Sequence, residues 1–292
     1  MLKKILLLCF LLSNSYANIL PESHPVNGGI TIIPFESRQK PTGLYNKIPV
    51  AVVESIKPNQ WLLVLGIPLD TKETIQNIFI NKPHSAYLPF YISPKTYKTQ
   101  NITIKDERKV NPFAEDKERI AQEEKKMDAI YATFNSTNPF QQAFAAPLRG
   151  PVTSLFGLNR VYNKEPRPPH SGLDIAAAEG TPVKAVNNGQ IIATADYFYT
   201  GNTVIIDHGM GVFSLYGHLH EIKVKEGDSI RQGEIVGTVG KTGRATGPHL
   251  HWSMIINKTL VDPLLFVNYQ FINVPPAPPP KQKQEKIPTT AG

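Results

Sequence analysis

The sequence predicts a mainly β protein, in which a small N-terminal β-domain is joined by one helix to a C-terminal antiparallel β-sheet domain. Three observations support this fold class. Short apolar runs alternate with turn residues through both halves of the chain. One stretch, residues 114–134, has apolar residues at helical spacing among many charges. The length of 292 residues suits about two domains.

Residues 1–17 have the three parts of a secretory signal peptide. Lys3 and Lys4 make a positive start, residues 5–12 are an apolar run, and Ser-Tyr-Ala at 15–17 resembles a cleavage site. The apolar run is too short to anchor the chain in a bilayer. We therefore expect export across the inner membrane to a periplasmic, cell-wall-associated location.

Net charge and cysteine content limit the partners and the metal ligands that we expect for this protein. The formal net charge of +7 favours anionic surroundings such as the cell wall. Nucleic acid is not an expected partner, because no stripe of Arg and Lys interleaved with aromatic residues is present. The single cysteine, Cys9, lies in the predicted signal peptide, so the mature chain has no disulfide and must hold any metal with His and carboxylate ligands. No other stretch is apolar for eighteen residues, so we expect no transmembrane segment in the mature chain.

Residues 18–105 are predicted to form the N-terminal β-domain. Turn residues separate its short candidate strands at intervals typical of a small all-β domain. The candidate strands are GGITIIPF, KIPVAVVES, QWLLVLGIPL, AYLPFYI and NITI. His24 and His84 stand alone among prolines, and we interpret both as surface residues.

Residues 106–145 are predicted to be a helical connector and linker. Acidic residues come early and lysines late in the helix at 114–134, as the helix dipole prefers. Its charges are expected to face solvent. Its apolar residues at helical spacing are Ile120, Met127, Ile130 and Tyr131.

Residues 146–270 are predicted to form an antiparallel β-domain. The stretch is rich in glycine and β-branched residues and has no helical periodicity. Hairpin turns are predicted at 187–189 and 209–211, and residues 224–243 are expected to form short strands with tight turns. Residues 271–292 are rich in proline and lysine, so we expect an extended, mobile tail.

Histidines are concentrated in the C-terminal domain. In a strand, His249 and His251 point to one face, and Leu250 and Trp252 point to the other. Two imidazoles on one face suit a metal ion or proton transfer. Six of the eight histidines lie between 170 and 251, namely His170, His208, His218, His220, His249 and His251.

The segment PPHSGLDIAA offers two further donors. Its prolines prevent a helix, so His170 leaves a loop and Asp174 enters a strand. A bend at Gly172 would bring both side chains to one point. An imidazole nitrogen and a carboxylate oxygen are common zinc donors.

The segment LYGHLH offers a candidate acid or base. His218 is predicted at the end of a strand, next to a turn at Gly217. His220 is interpreted as a solvated residue. His208 precedes a glycine turn, where we expect it to make hydrogen bonds, and we leave it out of the site.

Together these residues predict a catalytic zinc site. His170, Asp174 and one member of the His249/His251 pair supply three ligands and leave a fourth position open for water. Spacing alone does not decide which member of that pair binds the metal. The remaining imidazoles can move a proton or stabilise an oxyanion. No H-E-x-x-H motif is present, which excludes a helix-borne zinc peptidase.

With these residues in place, the chain from about 146 to 267 resembles the LytM-type M23 family of zinc endopeptidases. The N-terminal half also resembles the β-domain that precedes the peptidase in some proteobacterial members. The matching segments are HSGLDIAA, GNTVIIDHGMGVFSLYGHL, VKEGDSIRQGEIVGTVGKTGRATGPHLHW and VDPLLF.

The resemblance implies a role for each site residue. His170, Asp174 and His251 would ligate one zinc ion per chain, and His218 and His249 would be the catalytic histidines. The implied substrates are peptidoglycan stem peptides, cut by a D,D-endopeptidase at an amide bond of the cross-link. In Gram-negative relatives that bond usually joins D-alanine to diaminopimelate.

Other interpretations remain open at this point. Some LytM-type domains have lost metal ligands and instead bind and activate a murein amidase. The segments GTPVKAVNNGQI and VKEGDSIRQGEIVGTVG also resemble a biotinyl or lipoyl carrier barrel, but no modified lysine motif lies between them. The N-terminal domain is a candidate to cover the cleft and hold the enzyme latent.

Overall fold

The computed structural model describes residues 18–267. The predicted signal peptide, residues 1–17, and the predicted tail, residues 271–292, lie outside the described residues. The mainly β fold class is confirmed. No helix within 18–267 is long and apolar enough to cross a membrane.

Eight strands precede the helices. Strands β1 to β8 are Ile30–Glu36, Thr42–Tyr45, Ile48–Pro49, Ala51–Glu54, Gln60–Gly66, Ile75–Lys82, Ala86–Tyr91 and Thr99–Ile102. Two helices follow, α1 at Glu107–Val110 and α2 at Ala114–Tyr131, with a 3-10 turn at Pro139–Gln141.

The rest of the described chain is β-sheet, with a 3-10 turn at Pro263–Leu265. Strands β9 to β14 are Val152–Ser154, Asn159–Tyr162, Glu165–Arg167, Leu173–Ala176, Pro182–Lys184 and Gly189–Tyr197. Strands β15 to β20 are Gly201–Gly209, Val212–Ile222, Ser229–Ile230, Ile235–Val239, His249–Ile256 and Thr259–Val261.

The C-terminal half is built on one large sheet in which all pairs are antiparallel. Its central order is β17-β14-β15-β16-β19-β12-β9, with β13, β18 and β20 attached at its sides. The N-terminal half has two sheets, β1-β5-β4 and β3-β2-β6-β7. Short loops between neighbouring antiparallel strands explain the density of glycine turns that the sequence shows.

The two halves share one apolar core. Ile30, Ala51 and Val53 from the first sheet lie in the same buried cluster as Leu250 and Trp252 of β19. Such burial contributes roughly 25 cal/mol per Å² of apolar surface. The N-terminal half is therefore packed against the back of the strand that carries the H-x-H pair.

Strand β8 pairs outside the N-terminal half. It lies parallel to β10, with Thr99 opposite Asn159 and Ile102 opposite Tyr162. Ile102 packs against a small cluster that contains Ile104 and the buried Tyr162 ring. The end of the predicted N-terminal domain is therefore packed against the C-terminal half.

Helix α2 begins at Ala114, as the periodicity predicts, and ends at Tyr131, three residues earlier than expected. The hydroxyl and the backbone N–H of Thr133 both donate to the Ile130 carbonyl and close the last turn. Met127, Ile130 and Tyr131 pack on the outer face of the large sheet, with the Tyr131 ring 5.6 Å from the ring of Phe213. The helix therefore covers the sheet as well as connecting the halves.

The prediction that the charges of α2 face solvent is only partly right. Asp116 is buried and binds the Arg108 guanidinium through both carboxylate oxygens, at 2.6 Å each. Glu123 accepts a hydrogen bond from the backbone N–H of Phe198. Through these two contacts, the carboxylates of Asp116 and Glu123 hold α2 against α1 and against the backbone at Phe198.

His208 makes the expected hydrogen bonds, but it does so as a buried strand residue and not in the turn, so that part of the interpretation was wrong. It lies in β15, where Nδ1 donates to the Asn188 carbonyl at 2.7 Å and Nε2 is 2.8 Å from Ser214 Oγ. Burial lowers the pKa of His208 to about 4, although the bond to Asn188 opposes that shift. Its exclusion from the site agrees with this position in the core.

The buried imidazole of His208 predicts a loss of stability in acid. In the unfolded chain its pKa is near 6.5, so the unfolded state binds more protons than the folded state between pH 6.5 and about 4. We expect the contribution of His208 to the free energy of unfolding to fall by about 3 kcal/mol across that window. Urea denaturation of the wild type and His208→Gln, both with chelator, should show a difference that changes with pH. A difference that is constant from pH 7 to 4 would contradict this.

Candidate metal centre

Strand pairing places the carboxylate directly opposite one imidazole. Strand β19 lies between β12 and β16, and Asp174 of β12 is the register partner of His251. His249 stands on the same face, two residues away, while Leu250 and Trp252 are fully buried on the other face. The alternation predicted from the H-x-H spacing is therefore present.

Three donor atoms converge on one point. Asp174 Oδ1 lies 2.9 Å from His170 Nε2 and 2.9 Å from His251 Nδ1, and these two nitrogens are 3.2 Å apart. Neighbouring ligands of a tetrahedral zinc with bonds of about 2.0–2.1 Å lie about 3.3 Å apart. The spacing of this buried donor set fits a zinc ion.

Contacts on the far side of each ring leave one nitrogen of each imidazole facing Asp174. His170 Nδ1 donates to the Leu155 carbonyl at 2.8 Å, which leaves the lone pair of a neutral ring on Nε2. His251 Nε2 lies 3.0 Å from Ser253 Oγ, which leaves Nδ1 facing Asp174. Both free nitrogens therefore point at the common centre.

Gly172 lets the chain pass very close to β19. A Cβ atom there would lie 2.5 Å from the Trp252 carbonyl oxygen and 2.6 Å from Ser253 Oγ. This close approach explains the glycine better than flexibility does, since any side chain would push His170 away from His251.

Asp174 and His251 are in the protonation states that metal binding needs. Burial raises the pKa of Asp174, but its contacts with His170 and His251 outweigh burial and hold that pKa well below its usual value. Burial lowers the pKa of His251 to about 4, against the opposing effect of Asp174. At neutral pH the carboxylate is therefore charged and the imidazole neutral.

Arg160 is a site residue that the sequence did not reveal. Its Nη2 donates to Asp174 Oδ2 at 3.0 Å and to Ser154 Oγ at 3.1 Å, and its Nη1 donates to the Tyr162 hydroxyl. The guanidinium thus holds the carboxylate oxygen that faces away from the two imidazoles. No local motif signals this contact, because β10 reaches Asp174 only through tertiary packing.

His218 and His249 flank the donor set. Their ring centroids are 4.7 Å apart, and the His218 ring is 5.9 Å from that of His251. His249 Nε2 is 3.9 Å from Asp174 Oδ1, farther than the three clustered donors are from one another. The structure therefore brings all five predicted site residues together.

Both flanking rings are fixed in one orientation. Nδ1 of His218 donates to the Thr242 carbonyl and Nδ1 of His249 donates to the Gly247 carbonyl, both at 2.8 Å. Nε2 is therefore the free nitrogen in each neutral ring. Burial, and then the charges of His251 and His249, lower the pKa of His218 to about 3.

The predicted strand end at His218 was wrong, because β16 continues to Ile222. His218 instead has a left-handed backbone (φ 60°) at an irregularity in the pairing with β15, and its N–H donates to the Thr200 carbonyl. Such a conformation is costly for a residue with a side chain and is concentrated at functional sites.

The remaining histidines lie away from this cluster. His220 is exposed and its Nδ1 is 3.2 Å from Glu179, in line with its interpretation as a solvated residue. His24 and His84 are exposed on the N-terminal half.

Two cavities adjoin the cluster. One of about 310 Å³ is lined by Asp174, His249 and His251 and by residues in the segment 100–104. Another of about 630 Å³ extends from His218 along α2. The donor set is therefore reachable by a ligand larger than water.

Comparison with known proteins agrees with this geometry. The model of Peptidase family M23 matches residues 168–263, and that of the Peptidase family M23 N-terminal domain matches 23–95. Peptidoglycan DD-endopeptidase ShyA of Vibrio cholerae serotype O1 is 40% identical over 106 residues, which cover 36% of this chain and 25% of ShyA. DD-carboxypeptidase/endopeptidase Mpg of Neisseria meningitidis serogroup B is 46% identical over 95 residues, which cover 32% and 22% of the two chains. The match spans about a quarter of these relatives' length.

One solved structure is similar over most of both chains. It is the crystal structure of a protein from Pseudomonas aeruginosa assigned to peptidase M23, with 35% identity and a TM-score of 0.71. The similarity covers 84% of this chain and 95% of that one, so it includes the N-terminal sheets as well as the donor set. This chain therefore belongs to peptidase family M23.

Proposed function

We propose that this protein is a zinc-dependent endopeptidase that hydrolyses amide bonds in the peptide cross-links of bacterial peptidoglycan. The observation that carries the proposal is the buried set of His170, Asp174 and His251 with two oriented imidazoles beside it. The name of ShyA, which shares this part of the chain, supports peptidoglycan as the substrate, and the names of ShyA and Mpg both support a D,D-endopeptidase reaction.

His170, Asp174 and His251 are proposed to hold one zinc ion. Three protein ligands leave a coordination position for water or substrate, as in catalytic zinc sites. When bound, zinc supplies Lewis acidity that polarises an amide carbonyl and makes water more acidic. Arg160 keeps the carboxylate turned so that Oδ1 faces the imidazoles.

His218 and His249 are proposed to exchange protons during hydrolysis. Since carbonyl oxygens occupy both Nδ1–H groups, Nε2 is the atom that accepts a proton from the attacking water or returns one to the leaving amine. A ring that has gained a proton can donate it as a hydrogen bond to the oxyanion. The pKa of His218 is lowered to about 3, so this ring is neutral before the reaction and holds an added proton only transiently.

The proposal includes export to the periplasm, because peptidoglycan lies outside the inner membrane. It also keeps the division predicted from the sequence, with an N-terminal domain at 18–105, a connector at 106–145 and a peptidase domain at 146–270. An amidase-activating role is not favoured, because the full set of five site residues is present.

We further propose that the segment 100–104 restricts access to the zinc site and holds the enzyme latent. Gln100, Ile102 and Ile104 of this segment line the smaller cavity together with Asp174 and His249. The side chain of Asn163 binds this segment at Ile104. Its Oδ1 accepts a hydrogen bond from the Ile104 N–H at 2.9 Å, and its Nδ2 donates one to the Ile104 carbonyl at 3.0 Å. Loosening the segment is therefore expected to open the site.

Asn163→Gly removes both hydrogen bonds and suits the left-handed backbone at that position (φ 49°). Two bonds worth about 1 kcal/mol each predict a gain of up to about 30-fold in the rate of sacculus solubilisation. Asn46→Gly is the matched control, because Asn46 has the same backbone conformation (φ 49°) in the hairpin between β2 and β3. Equal rates for both variants and the wild type would rule out this form of latency.

Digestion of purified peptidoglycan tests the proposed function. With zinc present, we expect cross-linked muropeptides to be converted to monomers, identified by mass. A chelator should stop the reaction and added zinc should restore it. Unchanged muropeptides with zinc-loaded protein would contradict the proposal, and so would cleavage that a chelator does not affect.

A further inference from the structure

Arg244 lies between two aromatic rings at the edge of the zinc site. Its guanidinium carbon is 4.2 Å from the centroid of the Tyr199 ring and 5.0 Å from that of Tyr162. The side chain is half-buried and borders both cavities, together with His218. Stacking on aromatic faces restricts a guanidinium while leaving its edge N–H groups free to bind a ligand.

Among the described residues, Arg244 differs from the neighbouring arginines in having no acidic partner. Arg160 is paired with Asp174, and Arg167 is paired with Glu165. Within residues 18–267, no ion pair joins the Arg244 guanidinium to a carboxylate. A charged group that is partly removed from water without a counter-ion is unfavourable, so its site is suited to an anionic ligand.

The backbone around Arg244 is fixed to the same loops as His218. The Arg244 N–H donates to the Tyr199 carbonyl at 2.8 Å, and the next carbonyl along, that of Thr200, accepts from the His218 N–H at 2.6 Å. Thr242, two residues before Arg244, accepts from His218 Nδ1. The guanidinium is therefore held at a constant position relative to the imidazole that exchanges protons.

We propose that Arg244 binds a free carboxylate on the amine side of the scissile amide bond. This inference rests on the proposed function and names the feature of the substrate that the site selects. A guanidinium binds a carboxylate through two parallel hydrogen bonds, and its aromatic neighbours orient the pair. The substrate class is a peptide in which the carbon bearing the scissile nitrogen also bears a carboxylate.

A D-alanyl–diaminopimelate cross-link has this feature. The diaminopimelate carbon that bears the scissile nitrogen also bears a free carboxylate. The corresponding α-carbon inside an ordinary peptide bears the carbonyl of the next amide bond instead. The Arg244 subsite therefore favours cross-links over bonds inside a polypeptide. It also disfavours cross-links in which that carboxylate has been converted to a carboxamide.

The test compares two synthetic cross-linked stem-peptide dimers that differ only in this group, carboxylate against carboxamide. For the zinc-loaded wild type, we expect kcat/KM to be about 10- to 100-fold higher for the carboxylate dimer, the range of one charge-assisted contact. Arg244→Gln should lose that factor on the carboxylate dimer and lose much less on the carboxamide dimer, so that the two rates become similar. Arg231→Gln, an exposed arginine away from both cavities, is the control and should keep the preference.

Equal losses on both dimers would show that Arg244 only supports the structure, and would overturn the inference. A wild type without preference would do the same. If the wild type cleaves neither dimer, the proposed function fails. Calorimetric affinities of the two uncleaved dimers for zinc-loaded His249→Ala protein, with and without Arg244→Gln, then test the subsite on its own.

Discussion

His251→Ala protein is expected to lose both zinc and hydrolytic activity. The change removes one of three donors and takes away the nitrogen that lies 2.9 Å from Asp174 Oδ1. Two remaining ligands do not make a stable zinc site. Since changing even the outer partners of metal ligands costs about 10–100-fold in metal affinity, we expect a loss of more than 100-fold here. Metal analysis after dialysis and a sacculus assay measure the two effects.

A matched control for this variant is His220→Ala. His220 is also a histidine of the large sheet, but it is exposed and lies near Glu179 instead of the donor set. The control should bind zinc and digest sacculi like the wild type. If the His251→Ala protein solubilised sacculi at the wild-type rate, His251 would not be a ligand.

His249→Ala protein is expected to keep its zinc and lose its rate. His249 Nε2 is 3.9 Å from Asp174 Oδ1, while the three donor atoms lie within 3.2 Å of one another, so the metal site does not need this ring. Removing a group that transfers protons typically costs about 10²- to 10⁴-fold in rate. We expect a fall in kcat of that size with one zinc per chain.

Zinc binding and the catalytic rate are expected to respond differently to the loss of His249. Zinc content and kcat should be measured on the same preparation of the His249→Ala protein. Loss of zinc together with activity would move His249 into the ligand set. Retention of both would remove it from the mechanism.

The parts of the site that follow from local periodicity could be predicted from the sequence. Alternation along a strand places His249 and His251 on one face, and Leu250 and Trp252 in the core. Helical spacing likewise predicts the start of α2 at Ala114. These features depend only on residues that are near in the chain.

The parts that depend on long-range packing could not be predicted. The register that sets Asp174 opposite His251 joins residues 77 positions apart, and the Arg160–Asp174 pair joins residues of two different sheets. The buried position of His208 and the left-handed backbone of His218 likewise occur at irregularities in the pairing of β15 with β16. The spacing of H-x-H left the choice between its two histidines open, and the geometry supports His251 as the donor.

The association of two imidazoles and one carboxylate with a single zinc ion is tested most directly by zinc content combined with X-ray absorption spectroscopy of the zinc-loaded protein. We predict one zinc per chain, with two imidazole ligands and oxygen ligands at about 2.0–2.2 Å. Asp174→Asn should lower the zinc content. Protein that binds no stoichiometric zinc, or binds it without imidazole ligands, would contradict the account.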